Sequence, residues 1–297
     1  MNLELLKVPA GPVDVVLDTD TFNEVDDQFA LSYLLRIPEK ARIQAIYAAP
    51  FFNARSESPE DGMLKSYAEI RHILTLSGHE QYLNAVYQGS RRYLPDENTA
   101  VSSPAAEDLV RRALSYSPEH PLYVLAIGAI TNVASALLMK PEIAQNLVIV
   151  WLGGHGYDFR DTLEFNMRQD VTAARVVMRS EAAFVQLPCR GVVSEMTISK
   201  PELEYWLAGK NRLSDYLAKI VIDKMEARKP GMPWTKVIWD VTTVAWLLNE
   251  GDRFMEGRIV PVRLPDYGGS YEAPAEKPIL YIYQVRRDEI FNDLFRR

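Results

Sequence analysis

The stretch Val13-Asp14-Val15-Val16-Leu17-Asp18-Thr19-Asp20-Thr21-Phe22-Asn23-Glu24-Val25-Asp26-Asp27 decides the reading of this chain. The apolar, β-branched run from Val13 to Leu17 reads as a buried strand. Asp18 and Asp20 fall at its C-terminal end, and the two-residue period of extended chain points both side chains the same way. A short loop leads to Asp26 and Asp27, which open a helical pattern. There Phe29, Ala30, Tyr33, Leu34 and Ile37 recur at helical spacing, and Pro38 ends it. Carboxylates crowded into so short a segment repel one another unless a cation or donors compensate them. A hard, all-oxygen donor set suits Ca²⁺ or Mg²⁺ and not zinc or copper. Helix capping is the competing reading, because aspartates at a helix start satisfy backbone N–H groups. It accounts for one of Asp26 and Asp27 and leaves Asp18 and Asp20 unexplained.

Outward from this segment, strand-like and helix-like stretches alternate. Ile43–Ala49, Leu122–Ile127, Leu147–Leu152 and Ala183–Leu187 read as strands. Leu64–Leu76, closed by Gly78, Thr131–Met139 and Val171–Arg179 read as helices between them. This alternation predicts an α/β fold: a mostly parallel, open, Rossmann-like sheet with helices on both faces and the strand C-termini along one edge. After Lys200 the pattern turns helical, over 202–208, 213–227 and 237–248. Late strands follow near 259–264 and 279–285, and a last helix over 288–295. Residues 54–61 and 265–278 read as surface loops. The expectation is a single domain, 1–297.

Of the 297 residues, 47% are hydrophobic and 25% charged, which is ordinary for a globular chain able to bury a large core. The formal net charge of −7 argues against a nucleic-acid or membrane binder, which needs a positive face for phosphates. The single cysteine, Cys189, excludes an intramolecular disulfide and reads as a small core residue. The first residues show no basic region followed by a long apolar run, and no apolar stretch reaches the roughly 18 residues needed to span a bilayer. A cytoplasmic enzyme is the expectation.

Two enzyme classes place paired aspartates on a first strand. In haloacid-dehalogenase-like phosphatases the pattern is Asp-x-Asp-x-Thr/Val, whereas Phe22 holds the fifth position here and the Asp26-Asp27 pair is foreign to it. The chain instead resembles the nucleoside hydrolase family, which has Asp-x-Asp, a loop, and Asp-Asp opening a helix. Further segments resemble that family in the same order: Ala45 to Asn53, Leu125 to Asn132, Val150-Trp151-Leu152-Gly153-Gly154, Glu164-Phe165-Asn166 and Trp239-Asp240. Together they run from about Val13 to Leu248, and nothing after Gly251 matches a motif.

The resemblance implies calcium-dependent hydrolysis of the N-ribosidic bond of a nucleoside, on the nucleoside hydrolase fold. It implies a Ca²⁺ held by Asp20, Asp27, Asp240 and the Ile127 carbonyl, with Asp20 also the general base and Asp18 orienting the ligands. Asp26, Asn53, Asp158, Glu164 and Asn166 are the implied substrate contacts, and a homodimer or homotetramer the implied assembly. At position 239 the family often has a histidine that assists the departing base. Trp239 can stack on a base but cannot protonate one. His155, Tyr157 and Arg160, just past the Gly-Gly turn, are then candidates for that task. Trp239 and Asp158 also leave open a ribose- or nucleoside-binding protein that keeps the calcium site and has lost catalysis.

Overall fold

The computed structural model describes residues 3–297. Among them, eight strands form one sheet: β1 (Val13–Thr19), β2 (Ala41–Ala48), β3 (Val86–Gln88), β4 (Leu122–Ala126), β5 (Leu147–Leu152), β6 (Ala183–Leu187), β9 (Met255–Pro261) and β10 (Pro278–Val285). Their order is β3-β2-β1-β4-β5-β6-β10-β9. Every neighbour pair is parallel except β9, which runs antiparallel to β10 at one edge. The strand order reverses between β1 and β4. The crevice outside the carboxyl ends of strands at such a reversal is where open α/β sheets bind ligands.

Alternation along the strands sorts the core into two layers. Val15 and Leu17 face one layer with Phe29 and Leu34 of α1 (Asp27–Leu35), Ile70 of α2 (Pro59–Leu76), Val221 of α8 (Arg212–Arg228) and Val244 of α9 (Val241–Leu247). Val16, one residue out of phase, faces the other with Leu109 of α3 (Pro104–Ala113), Val133 of α4 (Thr131–Met139) and Val177 of α6 (Val171–Arg179). The sheet is therefore mostly parallel and covered by helices on both faces, as its sequence rhythm predicts.

Some boundaries differ from the sequence reading. The expected helix over 237–248 splits: β8 (Thr235–Val237) pairs antiparallel with β7 (Thr197–Ser199), and α9 begins only at Val241. The Ile238 N–H donates to the Met196 carbonyl at 2.8 Å, which holds that segment extended. α2 starts at Pro59, inside the expected loop, because the Ser58 hydroxyl accepts the Asp61 N–H at 3.1 Å. β3, α3 and the short α5 (Phe165–Gln169) were not expected. α7 (Lys200–Trp206) and α10 (Arg287–Arg296) complete the helices named here.

Candidate active site

Asp18 is the penultimate residue of β1 and is fully buried. Its Oδ1 accepts the Asn132 Nδ2 at 2.8 Å, while Oδ2 has no partner among the described residues. Burial pushes its carboxyl up to about 7. Asn132 sits in the first turn of α4, and its Oδ1 accepts the Ser90 N–H at 2.7 Å, so β1, α4 and the loop after β3 are tied through one amide.

Asp20, just past β1, is 1% exposed, and neither carboxylate oxygen has a partner among the described residues. Burial, and then the charges of Asp27, Asp26 and Glu164, push its pKa well above the carboxylate range. Gly128 packs against it: a Cβ there would lie 3.1 Å from Asp20 Cγ and 3.1 Å from Ala49 Cβ.

Asp26 occupies the N-cap position of α1, yet its side chain does not cap that helix. It accepts the Trp239 N–H at 3.0 Å and lies 3.6 Å from Lys236 Nζ. Asp240 likewise precedes α9 without capping it. Capping therefore explains neither carboxylate. Asp27 accepts the Thr19 hydroxyl at 2.6 Å, and burial and the charge of Asp26 push it up to about 7. The oxygens of Asp26, Asp27 and Asp240 lie within 4.8 Å of one another, and all three side chains are buried. Asp240 is pushed far up by burial and by Asp26, Asp27 and Asp20. Lys236 is the nearby cation, raised by Asp26 and Glu24 against the opposing effect of its burial.

These carboxylates floor a cavity of about 730 Å³ whose wall also includes Asn53, Ile127, Glu164, Asn166 and Trp239. That volume is of the order of small-molecule sites, roughly 300–1,000 Å³. The Ile127 carbonyl, one residue past β4, is 3.2 Å from Asn166 Nδ2, which also donates to the Leu152 carbonyl at 2.9 Å. Glu164 caps α5. Its Oε1 accepts the Asn166 N–H at 2.9 Å, and its Oε2 accepts the Gly154 and Met167 N–H groups at 3.0 and 2.9 Å. Gly154 makes this turn at φ +79°, where a Cβ would also lie 2.4 Å from the Tyr271 hydroxyl. Asn53 donates its Nδ2 to Asn23 Oδ1 at 2.6 Å, both at the cavity wall.

The loop after Gly154 distributes its residues differently from the sequence reading. Asp158 is exposed and is not among the cavity-lining residues. Tyr157 turns the other way, stacked on Tyr281 at 4.4 Å with its hydroxyl on Gln186 Oε1 at 3.1 Å. His155 and Arg160 do line the cavity, together with Asp161. His155 is 5% exposed, and its Nε2 is 3.8 Å from Asp161. Burial lowers its pKa against the opposing charge of Asp161, and its Nδ1 accepts the Arg190 N–H at 3.4 Å. Cys189 is buried as expected but also touches the cavity wall. Lys236 and Asn132 escaped the sequence reading as functional residues. Lys236 carries a faint signal, since it stands on an extended segment shortly before Asp240.

The family model for the inosine-uridine preferring nucleoside hydrolases matches residues 15–274. The non-specific ribonucleoside hydrolase RihC of Salmonella paratyphi B is 25% identical, over 79% of this chain and 78% of that protein. A plant nucleoside hydrolase superposes with a TM-score of 0.74 at 18% identity, covering 95% of this chain and 98% of the other. The purine-preferring ribonucleoside hydrolase from Gardnerella vaginalis does so with a TM-score of 0.73 at 21% identity, covering 95% and 96%. No described helix is long and apolar enough to cross a membrane. The family match spans the first strand, the acidic loop, the Glu-Phe-Asn turn and the head of α9, so the chain belongs to the inosine-uridine preferring nucleoside hydrolase family and is a hydrolase acting on N-glycosyl compounds.

Proposed function

We propose that the chain hydrolyses the N-glycosidic bond of ribonucleosides in a calcium-dependent reaction that releases ribose and nucleobase. The observation that carries this reading is Asp20, with both oxygens buried and unpartnered beside the Asp26, Asp27 and Asp240 group. Buried carboxylates left without donors are costly, and the deep wall offers oxygen donors that fit a hard divalent cation. Asp20, Asp27, Asp240 and the Ile127 carbonyl are the residues that would hold it. When bound, calcium supplies positive charge that acidifies a neighbouring water and anchors the sugar diol.

The chain's own groups then have distinct tasks. Asp20 takes the proton of the attacking water on one of its free oxygens. Asp26, Asn53, Glu164 and Asn166 hydrogen-bond the sugar hydroxyls and fix C1′ in front of that water. Glu164 does this with the lone pairs left over from three backbone N–H groups. Asp18, held by Asn132, keeps the end of β1 in register. The C1′–N bond breaks with its electron pair going to the base, and Trp239 offers that base an aromatic face. His155 carries the one imidazole on the cavity wall among the described residues, and Asp161, 3.8 Å from its Nε2, favours the protonated form in which it would deliver a proton to the leaving nitrogen.

Trp239 favours a second reading, a nucleoside-binding protein with little catalysis. Ribose release and calorimetric binding, measured on wild type and Asp20→Asn with saturating calcium, separate the two. Hydrolysis expects wild-type release that falls about 10²- to 10⁴-fold in the variant. Binding without release by the wild type establishes the second reading. Near-normal turnover of Asp20→Asn removes the general base.

A further inference from the structure

The cavity is divided by charge. Its depth is acidic, with Asp20, Asp26, Asp27, Glu164 and Asp240 all buried. Its mouth is basic. Arg168 on α5, Arg190 in the loop after β6, Arg228 at the end of α8 and the adjoining Lys229 all line it, and all are exposed. The other basic side chains of the wall have acidic partners: Arg160 meets Asp161, Lys224 meets Glu24, and Lys236 meets Asp26 and Glu24. Among the described residues, the four at the mouth form no ion pair. Arg168 and Arg190 only lie over the Phe165 and Phe159 rings, at 5.4 and 5.9 Å.

An isolated surface arginine needs no explanation. Four unpaired cations from three separate segments, converging on one opening of a chain with net charge −7, form a local field opposite to the molecule's own. An uncharged nucleoside offers that field nothing to hold. If the buried carboxylates hold the sugar diol, a charged substituent on the 5′ oxygen has to be met by the cations at the mouth. A phosphate on the 5′ oxygen is the substituent that gives guanidinium forks and an ammonium their matching oxygens.

We propose that the site takes ribonucleosides phosphorylated on the 5′ oxygen, with Arg168, Arg190, Arg228 and Lys229 receiving the phosphate. This rests on the N-glycosidic hydrolysis proposed above and narrows its substrate class. Water adds to C1′, the C1′–N bond breaks, one proton of water ends on the base nitrogen, and the products are ribose 5-phosphate and free base. The phosphoester bond is untouched.

The test compares kcat/KM for uridine and inosine with that for their 5′-monophosphates and 5′-diphosphates, on wild type and on Arg228→Gln/Lys229→Gln. Calorimetric titration with the same compounds runs beside it. Both positions are exposed, and a melting curve confirms that the variant is folded. The expected result is a preference for a phosphorylated form of about tenfold or more, reduced about tenfold in the variant. The mono- and diphosphate arms show how many phosphates the mouth accommodates. Nucleosides cleaved as well as or better than their phosphates would overturn this proposal and leave the hydrolase reading intact. If nothing is cleaved, the hydrolase reading fails by itself and calorimetry decides this one. Monophosphate binding that the variant loses supports phosphate recognition, and no preference over the nucleoside overturns it.

Discussion

The backbone N–H of Trp239 donates to the Asp26 carboxylate at 3.0 Å, across 213 positions of the chain. This bond fastens the loop after β1 to the head of α9 and so sets Asp240 beside Asp26 and Asp27. It is made by the main chain and so does not depend on the indole, which packs partly against the core and lines the cavity. Trp239→His should therefore leave the carboxylate group in place while adding an imidazole where a base would depart. The expected outcome is unchanged calcium affinity and a rise in kcat for nucleosides of about tenfold, below the roughly 10²- to 10⁴-fold of a general acid supplied where none stands, because His155 already lines the site. Calorimetry and ribose release measure the two quantities. A fall in kcat would show that the indole face matters more than a proton donor.

Gly128→Ala tests how closely Asp20 is positioned. The added Cβ would stand 3.1 Å from Asp20 Cγ and from Ala49 Cβ, so one of them must move by a few tenths of an ångström. Ala49 is fixed by its N–H bond to the Thr19 carbonyl at 2.8 Å, whereas the Asp20 carboxylate has no hydrogen-bond partner among the described residues to hold it. A drop in kcat of roughly tenfold to a hundredfold is expected, since small misplacements of reacting groups cost that much. The melting temperature should barely change. Full activity in a folded Gly128→Ala protein would mean that Asp20 tolerates displacement.

Metal-free protein should show an inverted dependence of stability on pH. Burial raises Asp18 to about 7 from an ordinary 3.8, and Asp27 likewise to about 7. A carboxyl whose folded pKa is raised favours the fold when protonated. Its contribution is complete below about pH 4 and is lost as pH rises through about 7. After exhaustive chelation, the melting temperature is expected to be lower at pH 8 than at pH 5, by roughly 5 °C or more. Added calcium should restore it at pH 8. A stripped protein that melts higher at pH 8 would contradict the buried, uncompensated charges.

The parts that were legible in the sequence are those with a local signature. β1 and its aspartates stand out because a buried apolar run ends in carboxylates that nothing nearby neutralises. The strand–helix alternation gives the parallel sheet because burial on both faces makes each strand uniformly apolar. α3 was legible and passed over: Ser103 accepts the Ala106 N–H at 3.2 Å, and Ser103-Pro104 is a helix start readable from residue type. Other features have no local trace. Nothing near Asp26 indicates that it receives an N–H from Trp239. Whether Asp158 or Asp161 faces the cavity depends on how one loop lies over β5 and β6. The basic mouth assembles from segments whose charges look like ordinary surface residues until the fold brings them together.

The central claim is that one hard cation, gripped by Asp20, Asp27 and Asp240, is required for cleavage of the glycosidic bond. Its most direct test is a calcium titration of the chelator-stripped protein, followed by the initial rate of ribose release from a ribonucleoside or its 5′-phosphate. The expected curve starts at no activity and saturates at one calcium per chain. Full activity retained after verified removal of all divalent metal would contradict it.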